Sequence, residues 1–369
     1  MMDSEVPYGA FLSGGLDSSA IVAAMAARGG PPVRSFAVGF EEAGYSELAH
    51  AARVARHVGA THTEIMLSQR EVIDWLPRIA GLRDAPVSEP ADVPMYLLAR
   101  AASRSVKMVL TGEGSDEALG GYPKHVYERL AAAYLALPRG LRRRVVEPLV
   151  QALPYGARRI KVAVQALGVE AFEDRMPRWF GALATEQVLA LCGRLPQRLR
   201  NGASFPFESA HDASALRRIL YFDQTSWLPD NLLERGDRMT MAASIEARLP
   251  FMDHELIELA ASLPDRQRVQ GTATKRVLRA AVAQRLPAAV LARPKVGFRM
   301  PIHLWLRGEL RGLLVDALLG PDAASRALLD RAVVQRHVDE HLQGRQNHEK
   351  PLWMLLNFEL WLRQSGLSV

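Results

Sequence analysis

A short stretch near the start of the chain, Ser13-Gly14-Gly15-Leu16-Asp17-Ser18-Ser19, combines glycines, hydroxyls and a carboxylate. The apolar run before it, Tyr8-Gly9-Ala10-Phe11-Leu12, reads as a buried strand. The alanine-rich run after it, Ala20 to Arg28, has strong helix propensity and stops at Gly29-Gly30. Glycines let an anion approach the backbone, and the following helix start offers unpaired N–H groups and the positive end of a dipole. Asp17 belongs in such a site only if a divalent cation lies between its carboxylate and a phosphate. The chemistry is therefore phosphate with magnesium. No lysine follows the glycines, so this is not the G-x-x-x-x-G-K-[ST] loop that handles β and γ phosphates. A plain Gly-Ser turn is the alternative, and it has no use for Asp17.

A second group is Thr111-Gly112-Glu113-Gly114-Ser115-Asp116-Glu117, followed by Gly120-Gly121-Tyr122. Crowded carboxylates repel unless cations or donors neutralise them, and Asp116 is the natural partner for Asp17 on magnesium. A solvated acidic turn is the alternative. Lys295 lies in the loop Arg293-Pro294-Lys295-Val296-Gly297-Phe298. Its spacing leaves it open between a surface lysine and a cation aimed at a phosphate. Asp237, Arg238, Glu246 and Arg248 interrupt buried-looking segments and read as internal structural ion pairs.

These groups need elements to bring them together. Val33 to Val38 reads as a strand ending at Gly39, Thr61 to Leu67 as a third strand and Val106 to Leu110 as a fourth. Helices are expected from a Ser46 cap to His57, over Glu71 to Leu82 and over Pro94 to Arg104, with a loop from Arg83 to Pro90. Such alternation implies an α/β fold with a mostly parallel sheet covered by helices on both faces. Ligands bind beyond the carboxyl ends of such strands. The loop Ser13 to Ser19, the turn at Val38-Gly39 and the loop Thr111 to Glu117 all fall at that edge. From about Leu130 the pattern changes to helices with no clear strands, and a soft boundary near Pro138 divides an α/β region, 1–137, from a mainly helical region, 138–369. In the latter, Gly202 to Pro206 reads as an exposed connection with Phe205 and Phe207 packing back. Thr274 to Arg279 starts a helix, and Pro351 to Trp361 is an apolar core helix.

Of the 369 residues, 49% are hydrophobic and 23% charged, the balance of a globular protein in water. No apolar run reaches membrane-spanning length, and Asp3 and Glu5 argue against a secretory leader, so a cytoplasmic location and no membrane partner are expected. Cys192 is the single cysteine, which excludes an internal disulfide or a thiolate metal site. The net charge is +6, with basic runs at Arg139 to Arg144 and Arg158-Arg159-Ile160-Lys161. No aromatics interleave with the arginines, so solvated helix faces are the expectation rather than a nucleic-acid surface.

The first stretch matches the pyrophosphatase loop of enzymes that cut ATP to AMP and pyrophosphate. From Val6 almost to Arg363 the chain resembles the synthetase domain of glutamine-hydrolysing asparagine synthetases. The motifs are V-P-Y-G-A-F-L-S-G-G-L-D-S-S, T-G-E-G-S-D-E-A-L-G-G-Y, L-P-D-N-L-L with D-R-M-T-M-A, S-I-E-A-R-L-P-F-M-D-H and R-P-K-V-G-F-R-M-P-I. The resemblance implies an adenine nucleotide alpha-hydrolase-like fold, with ATP across Leu12, Ser13, Gly14, Gly15, Leu16, Asp17, Ser18 and Ser19. Val38 would lie beside the adenine, Thr111 and Gly112 near the nucleotide, and Lys275 on the polyphosphate. Asp17 and Asp116 would hold magnesium, Glu113 would serve formation of an aspartyl-adenylate, and Lys295 would stabilise charge during attack. The implied reaction is adenylation of the aspartate side chain followed by displacement of AMP by ammonia. Relatives that adenylate another carboxylate, as in β-lactam closure or amidation of a sugar acid, remain alternatives, as does a non-catalytic nucleotide-binding module. The family begins with a glutaminase domain whose N-terminal cysteine attacks glutamine. Here residue 2 is Met, so that domain is expected to be absent, which leaves three alternatives: ammonia-dependent activity, a separate glutaminase subunit, or a truncated product.

Overall fold

The structure is a computed structural model that describes residues 2–42, 44–86, 89–153, 158–180, 183, 185–194 and 213–366. The connection Gly202 to Pro206, with Phe205 and Phe207, lies outside the described residues, as do positions 87 and 88 of the loop Arg83 to Pro90.

Five strands form one parallel sheet: β1 (Tyr8–Phe11), β2 (Arg34–Phe40), β3 (Thr61–Leu67), β4 (Met108–Leu110) and β5 (Glu246–Arg248), in the order β3-β2-β1-β4-β5. Ala10 is in register with Ser35 on one side and Leu110 on the other. The chain runs outward from β1 through β2 to β3, then returns to β4 on the opposite side of β1. The loops leaving β1 and β4 therefore lie side by side where the strand order reverses, the place where such sheets carry a crevice for ligands.

Alternate residues of the strands feed two cores. Phe11, Phe36, Phe40 and Val109 pack on one face beside Leu76 of helix α3 (Gln69–Ala80) and Ala99 of helix α4 (Asp92–Ala102). The C-terminal helix Glu349–Ser365 adds Leu352, Trp353 and Leu356 to that core. Ala10, Leu12, Ala37, Met108 and Leu110 pack on the other face against α1 (Leu16–Ala27) and α2 (Leu48–Val58). This alternation of period two, apolar on both sides, is what a parallel sheet covered twice requires. Each fully buried Leu or Phe contributes roughly 1.5–3 kcal/mol, so the cores hold the sheet edge that carries the loops.

Several element boundaries move. The helix after the first glycine-rich stretch begins at Leu16, not Ala20, so Asp17, Ser18 and Ser19 lie in its first turn. Val38 and Gly39 are inside β2 rather than in a turn, because the strand pairs with β3 as far as Phe40–Leu67. Ser46 lies one residue before the cap position of α2, which is Glu47. Helix α3 carries a reciprocal cap: Glu71 N donates to Ser68 Oγ at 3.3 Å, and Ser68 N donates to Glu71 Oε2 at 3.0 Å. The expectation of no strand after Leu130 is overturned by β5, whose three residues add to β4. The basic run Arg139 to Arg144 is helical, with Arg139, Arg143 and Arg144 exposed and Arg142 buried against Glu170. Among the described residues no helix is long and apolar enough to cross a membrane.

Candidate active site

The loop leaving β1 is closed by its own side chains. Ser13 N donates to Ser18 Oγ at 3.2 Å, and Gly15 N donates to Ser13 Oγ at 3.3 Å. Gly14 is left-handed at φ +70°, and a Cβ there would come within 2.4 Å of the His50 carbonyl carbon of α2, so only glycine fits. Gly15 caps α1 with no side-chain bond, which leaves the first-turn N–H groups facing the crevice.

The loop leaving β4 presses onto this turn. A Cβ on Gly112 would lie 2.7 Å from Ser18 N. Ser115 Oγ donates to Asp17 Oδ1 at 2.9 Å. Asp116 is buried, in the first turn of the short helix α5 (Ser115–Leu119).

Two lysines from distant parts of the chain enter between the aspartates. Lys275 Nζ lies 2.5 Å from Asp17 Oδ1 and 2.6 Å from Asp116 Oδ1; Lys295 Nζ lies 2.5 Å from Asp116 Oδ2 and 3.7 Å from Asp17 Oδ2. Lys275 is 3% exposed and holds a left-handed backbone, φ +50°, where a non-glycine residue is strained by about 1–3 kcal/mol. Such strain persists only where surrounding contacts impose it, and the two carboxylates are those contacts. Burial pushes the Asp116 carboxyl upward, but Lys275 and Lys295 outweigh it and hold it well below the usual carboxylate range. Burial likewise works against the charge on Lys295, and Asp116 and Asp17 outweigh it, raising its pKa.

Glu113 forms the next part of the wall and accepts from Arg235 Nη2 at 3.2 Å. Arg235 is buried on the helix Glu234–Met241; burial opposes its charge, and Glu113, Asp92 and Glu89 sustain it. Beneath α5, Tyr122 Oη donates to Glu117 Oε1 at 2.5 Å. Burial, then Asp116, pushes the Glu117 carboxyl up to about 7. His125 Nδ1 accepts from Tyr122 N at 3.2 Å, so Nε2 carries the proton and donates to Asp223 Oδ2 at 2.7 Å. Lys124 Nζ donates to the other Asp223 oxygen at 2.7 Å.

The two lysines, Asp17, Glu113, Asp116, Glu117, Tyr122, Lys124 and Arg235 line one cleft of about 2000 Å³ at the carboxyl ends of β1 and β4, with His125 and Asp223 buried behind it. Leu12, Ser13, Gly15, Leu16, Asp17, Ser18, Val38, Thr111, Gly112, Glu113, Asp116, Lys275 and Lys295 all line it. Gly14 and Ser19 are behind the wall: Gly14 backs onto α2, and Ser19 is fully buried. Asp17 and Asp116 suit a hard divalent cation, being oxygen donors that already meet one common positive charge. Among the described residues no three such groups converge, so a cation there would complete its shell from a phosphate and water.

The internal ion pairs expected of Asp237, Arg238, Glu246 and Arg248 are found elsewhere. Asp237 is exposed, and Arg238–Asp84 and Arg248–Glu246 are partly open to solvent. The buried pairs use the neighbouring residues: Arg235 with Glu113, and Arg83 with Asp92 and Glu234. Arg235 and Asn231 also line the cleft and were missed as site residues. Their i, i+4 spacing within an apolar segment was the available signal, since it puts both on one helix face.

The asparagine synthase family model matches residues 1–363. The chain belongs to the asparagine synthase family. A putative asparagine synthetase [glutamine-hydrolyzing] of Mycobacterium tuberculosis (strain H37Rv) is 37% identical over 366 residues, covering 98% of this chain and 55% of the relative. Asparagine synthetase [glutamine-hydrolyzing] 1 of Bacillus subtilis (strain 168) is 30% identical over 364 residues, 98% of this chain and 56% of the relative. Asparagine synthetase B [glutamine-hydrolyzing] of Escherichia coli (strain K12) is 38% identical over 184 residues, 46% of this chain and 32% of the relative. The chain thus spans about half the length of the first two of these asparagine synthase relatives.

Proposed function

We propose that the chain is an ATP-dependent ligase that adenylates the side-chain carboxylate of aspartate and aminates it, giving asparagine, AMP and pyrophosphate. The observation that carries this reading is the convergence of Asp17, Asp116, Lys275 and Lys295 beside Glu113 at the β1–β4 crevice. A carboxylate is a poor electrophile until one oxygen becomes part of a phosphate leaving group. The aspartate oxygen therefore attacks the α-phosphate, and pyrophosphate departs. ATP lies across the loop from Leu12 to Ser18, the first-turn N–H groups of Leu16, Asp17 and Ser18 together with Lys275 receive the pyrophosphate, and Val38 sits beside the adenine with Thr111-Gly112 against the nucleotide. Glu113, oriented by Arg235, assists formation of the adenylate. Lys295 offsets the charge that develops at the α-phosphate, and again when ammonia adds to the acyl carbon. The tetrahedral adduct then loses a proton and expels AMP. Magnesium held by Asp17 and Asp116 would offset charge on the pyrophosphate when bound.

The ammonia comes free from solution or from a glutaminase, an activity that the relatives' names carry. A cytoplasmic location belongs to the same proposal. Pyrophosphate release in the presence of aspartate, ammonium and magnesium tests it. The protein should release pyrophosphate and AMP only when aspartate is present, and Asp17→Ala and Lys295→Ala should each lower the rate by about 100-fold or more. Cleavage of ATP to ADP alone, or variants as active as the parent, would falsify the reading.

A further inference from the structure

The cleft wall beyond Glu113 carries a polar pair that the steps above do not use. Asn231 is 4% exposed, yet it lines the cleft. Its Nδ2 donates to Glu89 Oε1 at 3.3 Å, which fixes the orientation of the amide, because the flipped form would set two acceptors against each other. Asn231 Oδ1 is then left buried with no donor. A buried acceptor without a partner costs about 1–3 kcal/mol, and such a group at a cleft wall is accounted for if a ligand supplies the donor. Glu89 also lines the cleft and is partly open to it. A carboxylate and an amide oxygen side by side accept hydrogen bonds and carry one negative charge. They fit an ammonium group.

The same wall joins the activation site. Arg235 bonds Glu113 and feels the charge of Glu89, so the pair adjoins the place where the acceptor carboxylate is to be activated. We propose that Glu89 and Asn231 form the subsite for an amino group on the acceptor, so that this cleft takes an amino acid and rejects a carboxylic acid of the same shape that lacks the amine. Resting on the adenylation reading, the inference names which acceptors that reading admits. A site built to pair a buried acceptor with a substrate N–H discriminates strongly, because the analogue without it strands the protein group.

Aspartate and succinate differ by this amine. Each is titrated calorimetrically into the protein saturated with a non-hydrolysable α,β-methylene analogue of ATP. Aspartate should bind at least about 100-fold tighter than succinate. Glu89→Gln, which keeps the shape, and Asn231→Leu should each shrink that ratio below about 10-fold, while analogue binding itself reports that each variant is folded. Equal binding of the two acids, an unchanged ratio in both variants, or binding of neither acid overturns the inference. Pyrophosphate release that succinate triggers as well as aspartate removes the subsite and leaves adenylation standing. A Glu89-dependent preference for aspartate with no pyrophosphate release from any acid does the reverse.

Discussion

Asp17 and Asp116 share one cation: Lys275 Nζ lies 2.5 Å from an oxygen of the first and 2.6 Å from an oxygen of the second. One aspartate follows β1, the other follows β4, and the lysine precedes a helix far along the chain. The contact ties three segments into one site and makes Lys275 the residue on which the cleft floor depends.

Replacing Lys275 by Met should therefore cost stability as well as activity. Removing one partner from a buried ion pair leaves an uncompensated charge, worth about 3–5 kcal/mol. Lys295 remains on Asp116 and puts the expected loss near the lower end, about 3 kcal/mol in urea unfolding. Lys275→Arg should not restore pyrophosphate release, since the planar fork cannot replace a point charge shared by two carboxylates. Stability equal to the parent's would remove the lysine from this role.

Asp116 sets the acid limb of stability. Its carboxyl titrates below the ordinary 3.8 in the folded chain. Its contribution is thus fully present above that value and is lost as pH falls through the lower folded one. Asp116→Asn should reduce stability at neutral pH and flatten the part of the urea-midpoint profile below about pH 4.

Glu117 acts in the opposite sense. Burial raises its pKa from 4.5 to about 7. The folded chain then binds the extra proton between those values, so stability should fall as pH rises from about 4.5 to 7 and level off above. Glu117→Gln keeps the position beside Tyr122 and should flatten this fall, gaining about 1–3 kcal/mol over the parent at pH 8. A profile unchanged by the substitution would mean that Glu117 ionises normally.

Gly121 faces the charged cluster. A Cβ there would fall 1.7 Å from Asp116 Oδ1 and 2.2 Å from Lys275 Cε. Gly121→Ala should push both side chains from their places and lower pyrophosphate release by about 100-fold, because displacements of 1 Å cost that much. Gly140, where a Cβ meets nothing within 4 Å, provides the control: Gly140→Ala should turn over at the parent rate.

The α/β half of the fold was legible because its signals are local. Strand runs alternate with amphipathic helices, and glycines and carboxylates mark the loops between them. β5 was not legible: Glu246-Ala247-Arg248 is short and mostly polar, and it becomes a strand only because β4 offers an unpaired edge. The pairing of Asp17 with Asp116 across the cleft followed from topology, since both follow parallel strands. Lys295 could not be placed by spacing, because nothing local in a proline-bounded loop says which way the side chain points. Arg235 escaped for a related reason. Charges within apolar helices drew attention to Asp237 and Arg238, while the buried charge belongs to their neighbour, on the helix face turned inward.

The cleft floor cancels its own electricity. Lys275 and Lys295 offset Asp17 and Asp116, Arg235 offsets Glu113, and Arg293 offsets Glu47. On the proposed reading, a triphosphate reaching this floor meets charges already paired with one another rather than a bare cationic surface. Capture would then be an exchange of partners at close range, with the lysines turning from carboxylate to phosphate. Its association rate should then vary little with ionic strength, and a steep decline between low and high salt in stopped-flow mixing would show long-range attraction at work after all.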